Sequence, residues 1–410
     1  MSDQIDILII GAGAAGLMAG IWASRTYPDR QIVILDSARK LGAKILVSGG
    51  GRCNVTHDEV DAAAYAGSSR NAIKKVLRRF DVPQTIAFFR EIGVALKREE
   101  TGKLFPVSDS ARTVLDGLLT AVSQPNVVIR HPNRVEAVAK TETGFCVSGA
   151  WGELQTDRLL LATGGQSIPK SGSDGHGYAL AKALGHTLTP RLFPALVPLT
   201  LPKGHFIRDL SGLTLPTTLT LWSNSRKKLV DFIDSTLCTH FGLSGPSVLD
   251  MSRHYIAAKL EDPAATLTIN WLPAMRAAEL DRELQQLGRK TAVSYLRAYL
   301  PDRLAQALCV TVQLDPAARG DQLTRAQRKA LVTAVTKLPL PIAGHRGYNY
   351  AEVTAGGVPL SDIDLKTMES RLCPGLFLCG EICDVDGRIG GYNFQWAWAS
   401  GYTAGISVGE

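Results

Sequence analysis

Residues 5–16 read IDILIIGAGAAG, and residues 31–36 read QIVILD. Ile5 to Ile10 is a short, β-branched apolar run, the pattern of a parallel strand buried on both faces. Gly11, Gly13 and Gly16 follow at once as GxGxxG, and a helical stretch then runs to about Thr26. The second apolar run, Gln31 to Leu35, ends at Asp36, twenty residues beyond Gly16. Dinucleotide chemistry needs this order. Gly11 makes the tight turn, Gly13 lets a pyrophosphate approach the backbone, and Gly16 lets helix and strand pack closely. Ala14 and Ala15 open a helix whose free N–H groups attract phosphate, and Asp36 is placed to accept from ribose hydroxyls. Alone, GxGxxG says little; between a strand and a helix, with an acid behind it, it is a specific signal.

The rest of the composition sets limits. The chain has 410 residues, 45% hydrophobic and 20% charged, with 39 Gly and 20 Pro, which excludes a disordered or collagen-like protein and suggests two to three domains. A net charge of +7 is mild for this length; it suits anionic small molecules and demands no nucleic acid. The basic clusters Lys74-Lys75 with Arg78-Arg79, and Arg226-Lys227-Lys228, lack the interleaved aromatics of a nucleic-acid groove. Seven cysteines in odd number, with no CxxC pair, point to free thiols in a reducing compartment and to no bound metal. Ile7 to Ser24 is an uncharged run of 18 residues, near transmembrane length. Its four glycines and the preceding Asp3 and Asp6 argue instead for the dinucleotide turn, and so for a cytoplasmic protein outside the membrane.

Three more segments choose the dinucleotide. Leu41 to Asn54 (LGAKILVSGGGRCN) holds Lys44, then Ser48, the run Gly49, Gly50, Gly51, and a polar exit of Arg52, Cys53 and Asn54. Such a loop supplies bare backbone amides beside a large planar ligand. The strand RLLLAT ends in Thr163, Gly164 and Gly165 and continues as Gln166-Ser167-Ile168-Pro169, with no second GxGxxG, so no separate nicotinamide domain is expected. Near the end, the strand GLFL precedes Gly380, Glu381 and Asp384. Gly390, Gly391, Tyr392 and Asn393 then open a last helix, whose amides can face the negative edge of a reduced flavin. Ala397, Gly401 and Gly405 recur at four-residue spacing and allow one face of that helix to pack tightly. Val135 completes the candidate cofactor wall. Trp396 and Trp398 are read as core.

With these landmarks the chain closely resembles the BaiN-like NAD(P)/FAD-dependent oxidoreductase family of bacterial flavoproteins. The resemblance spans essentially the whole chain, carried by GAGAAG at 11–16, KILVSGGGRCN at 44–54, LLATGGQS at 160–167, THFGLSGPSVLDMS at 239–252, TAGGV at 354–358 and GGYNFQWAWASG at 390–401. It implies an α/β fold: a Rossmann-like FAD-binding domain (1–190 and 359–410), an inserted β-rich, barrel-like domain (191–273 and 340–358) and a helical subdomain (274–339). It also implies bound FAD, NAD(P)H as transient reductant, a small-molecule electron acceptor, and a monomer or homodimer. Asp36, His176 and Arg388 depart from the family's pattern, which more often has Glu, an acid and an aromatic residue there. The candidate reactive groups are His240 as proton donor, Tyr392 as donor or positioner, and Arg388 as a clamp for a substrate carboxylate. RNA modification on the same scaffold and a non-enzymatic flavin sensor are the alternatives.

Overall fold

A computed structural model describes residues 4–410. Its contacts divide the chain into two compact units, one formed by the described residues up to Pro194 together with Ala351–Glu410, the other by Ala195–Tyr350.

The first unit is built on a parallel sheet. Strand β1 (Gln4–Ile10) leads through the glycine turn into helix α1 (Ala14–Thr26) and back to β2 (Ile32–Leu35), which pairs parallel with β1 on one side and with β3 (Val127–Arg130) on the other. Ile7, Leu8 and Ile9 are fully buried, because both faces of β1 are covered, and no alternation is visible in their sequence. The antiparallel strands β4 (Ala137–Lys140) and β5 (Phe145–Gly149) lead into β6 (Gly152–Leu161). One edge of β6 pairs parallel with β1. Its other edge is shared: Gly152–Thr156 pairs antiparallel with β5, and Leu159–Leu161 pairs parallel with the late strand β7 (Leu376–Leu378). Residues 158–163 thus lie in the sheet's centre and deliver Thr163 to the end where β1 delivers Gly11.

The final helix α2 (Tyr392–Ser407) crosses onto α1, and its small residues make the approach feasible. A Cβ on Gly401 would stand 2.5 Å from the Ala15 carbonyl oxygen, and one on Gly405 2.5 Å from that of Ala19. The apolar run Ile7–Ser24 therefore resolves into a buried strand, a turn and part of a 13-residue helix. Among the described residues no helix is long and apolar enough to cross a membrane. Between 70 and 91 lie two helices, Arg70–Leu77 and Val82–Glu91, the second capped reciprocally by Asp81 and Gln84.

The second unit is a seven-stranded antiparallel sheet with helices. Its strands run in the order Leu338–Leu340, Thr266–Asn270, Thr214–Trp222, Lys228–Thr239, Gly242–Ser244, Leu199–Thr200, Gly344–His345. Thr214–Trp222 shows a period of two: Leu215, Thr217, Leu219 and Leu221 are buried and their neighbours are not. Two boundaries differ from expectation. The helices between 277 and 336 form no separate core, since Leu280, Leu284, Leu304 and Leu331 join Leu219 and Ile269 in one apolar cluster. Residues 191–194 and 351–358 belong with the first unit rather than the insertion. There the Thr354 hydroxyl accepts from the Gln166 amide (2.8 Å), and the Val358 amide donates to Ile382 (2.9 Å).

Candidate functional site

The glycines of the first turn divide by what a side chain would meet. At Gly11 (φ +108°) a Cβ would lie 2.4 Å from the Ala162 carbonyl oxygen, and at Gly16 1.8 Å from that of Gly11. These two are glycine because backbone packs against them. Gly13 is different: φ is −79°, and nothing lies within 4 Å of its Cβ position. The protein leaves open the space that a ligand's pyrophosphate would take. No side chain caps α1 at Gly13 and none caps α2 at Gly391, and both helix starts border one cavity of about 600 Å³, within the roughly 300–1,000 Å³ of small-ligand sites.

Gly11, Gly13, Ala14, Ala15, Asp36, Lys44, Ser48, Gly49, Arg52, Asn54, Val135, Thr163, Gly164, Gly380, Glu381, Arg388, Gly390, Gly391 and Asn393 line that cavity. Asp36 stands at the end of β2 with one carboxylate oxygen 2.6 Å from the Ala12 amide and the other 2.7 Å from the Ala38 amide. Its position is thereby fixed, and lone pairs remain on both oxygens for ribose hydroxyls. Gly49, Gly50 and Gly51 all adopt left-handed backbone (φ +55°, +68°, +86°), a run only glycine sustains. The Lys44 ammonium sits 2.5 Å from Glu381, whose other oxygen accepts from the Thr354 amide (3.0 Å). Two buried polar atoms in the wall, Asn54 Oδ1 and Thr163 Oγ1, have no hydrogen-bond partner among the described residues. Orphans of this kind cost free energy unless a ligand or water satisfies them. The uncapped helix starts, the open Gly13 face and the orphaned oxygens together fit a pyrophosphate-linked dinucleotide.

Several residues read from the sequence stand elsewhere. Gly16, Gly50, Gly51, Cys53, Gly165 and Asp384 do not border the cavity. Gly16 and Gly165 lie behind it, packed against Gly11 and against Thr354 with Glu381. Cys53 is fully buried, and burial pushes its thiol up to about 12, so it is no nucleophile. Tyr392 also stands off the wall. It stacks on His57 (ring centres 5.1 Å) and its carbonyl accepts from the Tyr65 hydroxyl (2.8 Å), while Asn393, Phe394 and Ala397 face the cavity from the neighbouring stripe of α2. Arg388 lines it. His240 belongs to the second unit, in the turn between Lys228–Thr239 and Gly242–Ser244.

Other lining residues were not singled out as site residues. Arg134 and Asp174 pair at 2.8 Å, and His176, noted only as a departure, donates its amide to Asp174 (3.0 Å) at the start of helix His176–Ala183. Burial alone would raise the Asp174 carboxyl, but the His176 amide and Arg134 outweigh it and hold it low. Arg52 lies over the Phe105 ring (3.9 Å) and bonds Glu99 (2.6 Å), and Lys103 completes that end. Lys103 and Phe105 come from a short strand, Lys103–Pro106, that carries no motif. Trp396 donates to the Gly380 carbonyl (3.0 Å) and Trp398 to that of Val55 (2.9 Å), so both indoles spend their N–H inside the protein.

Comparison with known proteins agrees with the geometry. The chain matches the family described as HI0933-like protein Rossmann domain over residues 5–407. It is 35% identical over 406 residues to a 3-dehydro-bile acid delta(4,6)-reductase of Clostridium scindens, covering 98% of each chain. It is also 35% identical over 403 residues to a ribosomal RNA dihydrouridine synthase of Escherichia coli, covering 98% of this chain and 97% of the relative. In fold it is similar to 3-ketosteroid delta1-dehydrogenase from Sterolibacterium denitrificans, at a TM-score of 0.54 and 14% identity, over the whole of both chains.

Proposed function

Because the chain belongs to the HI0933-like Rossmann family, it is a flavoprotein oxidoreductase, and we propose that it reduces a carbon–carbon double bond conjugated to a carbonyl, with FAD as carrier and NADH or NADPH as donor, in the cytoplasm. The observation that carries the reading is Gly13, whose open Cβ direction faces a cavity bordered by two uncapped helix starts. The double bond is suggested by the two relatives' names. A delta(4,6)-reductase of a 3-dehydro acid and a dihydrouridine synthase share one reaction, addition of two hydrogens across a double bond conjugated to C=O.

Bound FAD supplies a group that takes up two electrons and a proton and gives them up as hydride. The chain's own residues bind and orient it. The amides of Gly13 to Ala15 would hold the pyrophosphate, Asp36 the ribose, and the start of α2 would steady negative charge by about 0.3–2 kcal/mol. Arg388, on the cavity wall, would engage the acceptor's oxygen. Overall, NAD(P)H gives up hydride, one proton is taken up, and the acceptor's C=C becomes CH–CH. The test is direct. Purified protein is expected to be yellow, to bleach anaerobically with NADPH or NADH, and to recover colour on adding a conjugated enone. Colourless protein that FAD cannot reconstitute would end the proposal.

A second reading has a specific observation behind it. Residues 274–339 carry eleven Lys or Arg against six Asp or Glu, a surplus of five out of the chain's seven. A polyanion such as RNA is attracted to such a surface, and uridine would then be the conjugated acceptor. Ribosomal RNA from a strain lacking this protein should be missing dihydrouridine if that reading holds; unchanged dihydrouridine content leaves the small-molecule acceptor.

A further inference from the structure

Within the first unit, the start of α2 gathers two polar side chains that no described residue engages. The short strand Lys103–Pro106 pairs with Thr56–His57, and alternation along it turns Lys103 and Phe105 to the cavity and Leu104 away. The same pairing seats the helix. A Cβ on Gly391 would lie 2.5 Å from the Thr56 carbonyl carbon, and one on Gly390 3.4 Å from Lys103 Cε. Asn54 enters from the glycine loop, where its backbone nitrogen and the Phe105 ring both stand 3.0 Å from the Cβ position of Gly49. Asn54, Lys103, Gly390 and Gly391 all border the cavity.

Other cations of the cavity are neutralised. Lys44 pairs with Glu381 (2.5 Å), Arg52 with Glu99 (2.6 Å) and Arg134 with Asp174 (2.8 Å). Lys103, half-buried, makes no ion pair or side-chain hydrogen bond with any described residue. Asn54 is only 8% exposed, yet its Oδ1 has no partner and its side chain donates to no described residue. A buried amide left unmatched costs free energy, and so does a half-buried charge without a counter-charge. Both costs fall if a ligand presents a hydrogen-bonding edge and negative charge at this end. With the adenosine ribose at Asp36 and the pyrophosphate at Gly13, the flavin ring is the part of FAD left for the start of α2. Its pyrimidine half offers C=O, N–H and C=O in a row, which an asparagine amide matches with one acceptor and one donor. The same half gains negative charge on reduction, which an unpaired ammonium matches.

We propose that Asn54 and Lys103 together hold the pyrimidine edge of the flavin, Asn54 by bonding its N3–H and a neighbouring carbonyl, Lys103 by favouring the reduced over the oxidised cofactor and so raising its potential. This rests on the reading of the chain as an FAD protein and deepens it.

Spectroelectrochemical titration of the FAD-loaded protein tests the lysine. Lys103→Met should shift the preference for reduced over oxidised FAD by about tenfold, the loss expected for a charge-assisted hydrogen bond, which is a fall of about 30 mV in the two-electron midpoint. Lys103→Arg, which keeps the charge, should stay near wild type, and Lys103→Gln repeats the measurement should the methionine variant fold poorly. Lys97→Met, on the neighbouring strand Leu96–Arg98 with its charge spent on Asp109, should leave the midpoint in place. A lysine that only supported the fold would weaken both redox forms alike, and the unshifted midpoint would overturn the inference. The asparagine is tested by reloading FAD-free protein with FAD or with 3-methyl-FAD, in which a methyl replaces the N3 hydrogen. Wild type should prefer FAD by about tenfold, and Asn54→Leu should lose that preference. Equal affinity of the wild type for the two overturns the role of Asn54 without any variant having to fold. Enone turnover enters neither measurement, so protein that binds FAD and reduces no enone sinks the reductase reading and still decides this one. Protein that takes up no FAD ends both; an unshifted midpoint in loaded protein ends this one alone.

Discussion

Lys44 Nζ and Glu381 Oε2 lie 2.5 Å apart across the cavity wall, joining the short helix Ala43–Val47 to the turn that follows β7. Some 337 residues separate them in sequence. Their side chains retain 27% and 17% exposure, so the pair is neither a fully screened surface bridge nor a dry buried one.

Lys44→Met should leave Glu381 half-buried with the Thr354 amide as its remaining partner. The expected cost is about 1–3 kcal/mol, the range for removing one partner of a charged hydrogen bond. Urea unfolding of the FAD-free protein would read it. Glu381→Gln keeps the bond to the Thr354 amide and should cost less. If Lys44→Met unfolds at the wild-type midpoint, the pair contributes nothing to the fold.

The two inner glycines of the first turn give opposite expectations. Gly16→Ala would put a methyl 1.8 Å from the Gly11 carbonyl oxygen, so β1 and α1 must part and folding itself should suffer. Gly13→Ala meets nothing within 4 Å, and its backbone is one alanine adopts. Its unfolding free energy should stay within about 1 kcal/mol of wild type, because the gain from a stiffer unfolded chain offsets alanine's poorer N-cap quality. FAD affinity should nevertheless fall by an order of magnitude or more. Fluorescence titration with FAD beside a thermal melt separates the two; tight FAD binding by Gly13→Ala would mean that the open face serves some other ligand.

That contrast also shows how far the sequence could be read. Gly11, Gly13, Gly16 and Asp36 were legible because local backbone demands fix their spacing, and the parallel strands on either side announce themselves as unbroken apolar runs. Lys103, Phe105 and Arg134 carried no such signal. They reach the wall through pairing of short strands and through the ion pair to Asp174, which depend on contacts distant in sequence. Tyr392 was misplaced for a related reason. A motif gives the residue that starts a helix but not which stripe faces the cavity, and the stack on His57 holds the Tyr392 ring off the wall. The unity of the helices 277–336 with the neighbouring sheet was likewise invisible, since their apolar stripes look the same whether they meet each other or a strand.

Buried thiols give a pH dependence. Burial pushes Cys53 and Cys238 up to about 12 from 9.0, and Cys309 to about 11. In the unfolded chain these groups ionise near the ordinary value, so the unfolded state sheds protons first as pH rises. The stability they confer is complete below pH 9 and drains away between about 9 and 12. The urea midpoint should therefore fall with rising pH across that window, and Cys53→Ala should make the fall shallower. The same burial should leave Cys53 unmodified by iodoacetamide at pH 8 until the protein is unfolded. Rapid labelling of the native protein at Cys53 would contradict its placement.

The contact of α1 with α2 is the last point at which packing and site meet. Gly401 faces the carbonyl of Ala15, the second of the two alanines that begin α1, and Ala397, one turn earlier on α2, lines the cavity. Gly401→Ala would place a methyl 2.5 Å from that oxygen and 3.1 Å from the Met18 side chain. Backbone cannot yield as a side-chain tip does, so the helices must separate by some tenths of an ångström. Overpacking of this kind costs about 1–3 kcal/mol. Both helix starts that border the cavity would shift with it, and FAD affinity should drop along with the melting temperature. Gly204→Ala, in open space on an exposed turn of the second unit (φ +81°), should lower stability through backbone strain and leave FAD affinity intact. Equal loss of FAD in the two variants would mean that general destabilisation, rather than the seating of the two helices, governs cofactor binding.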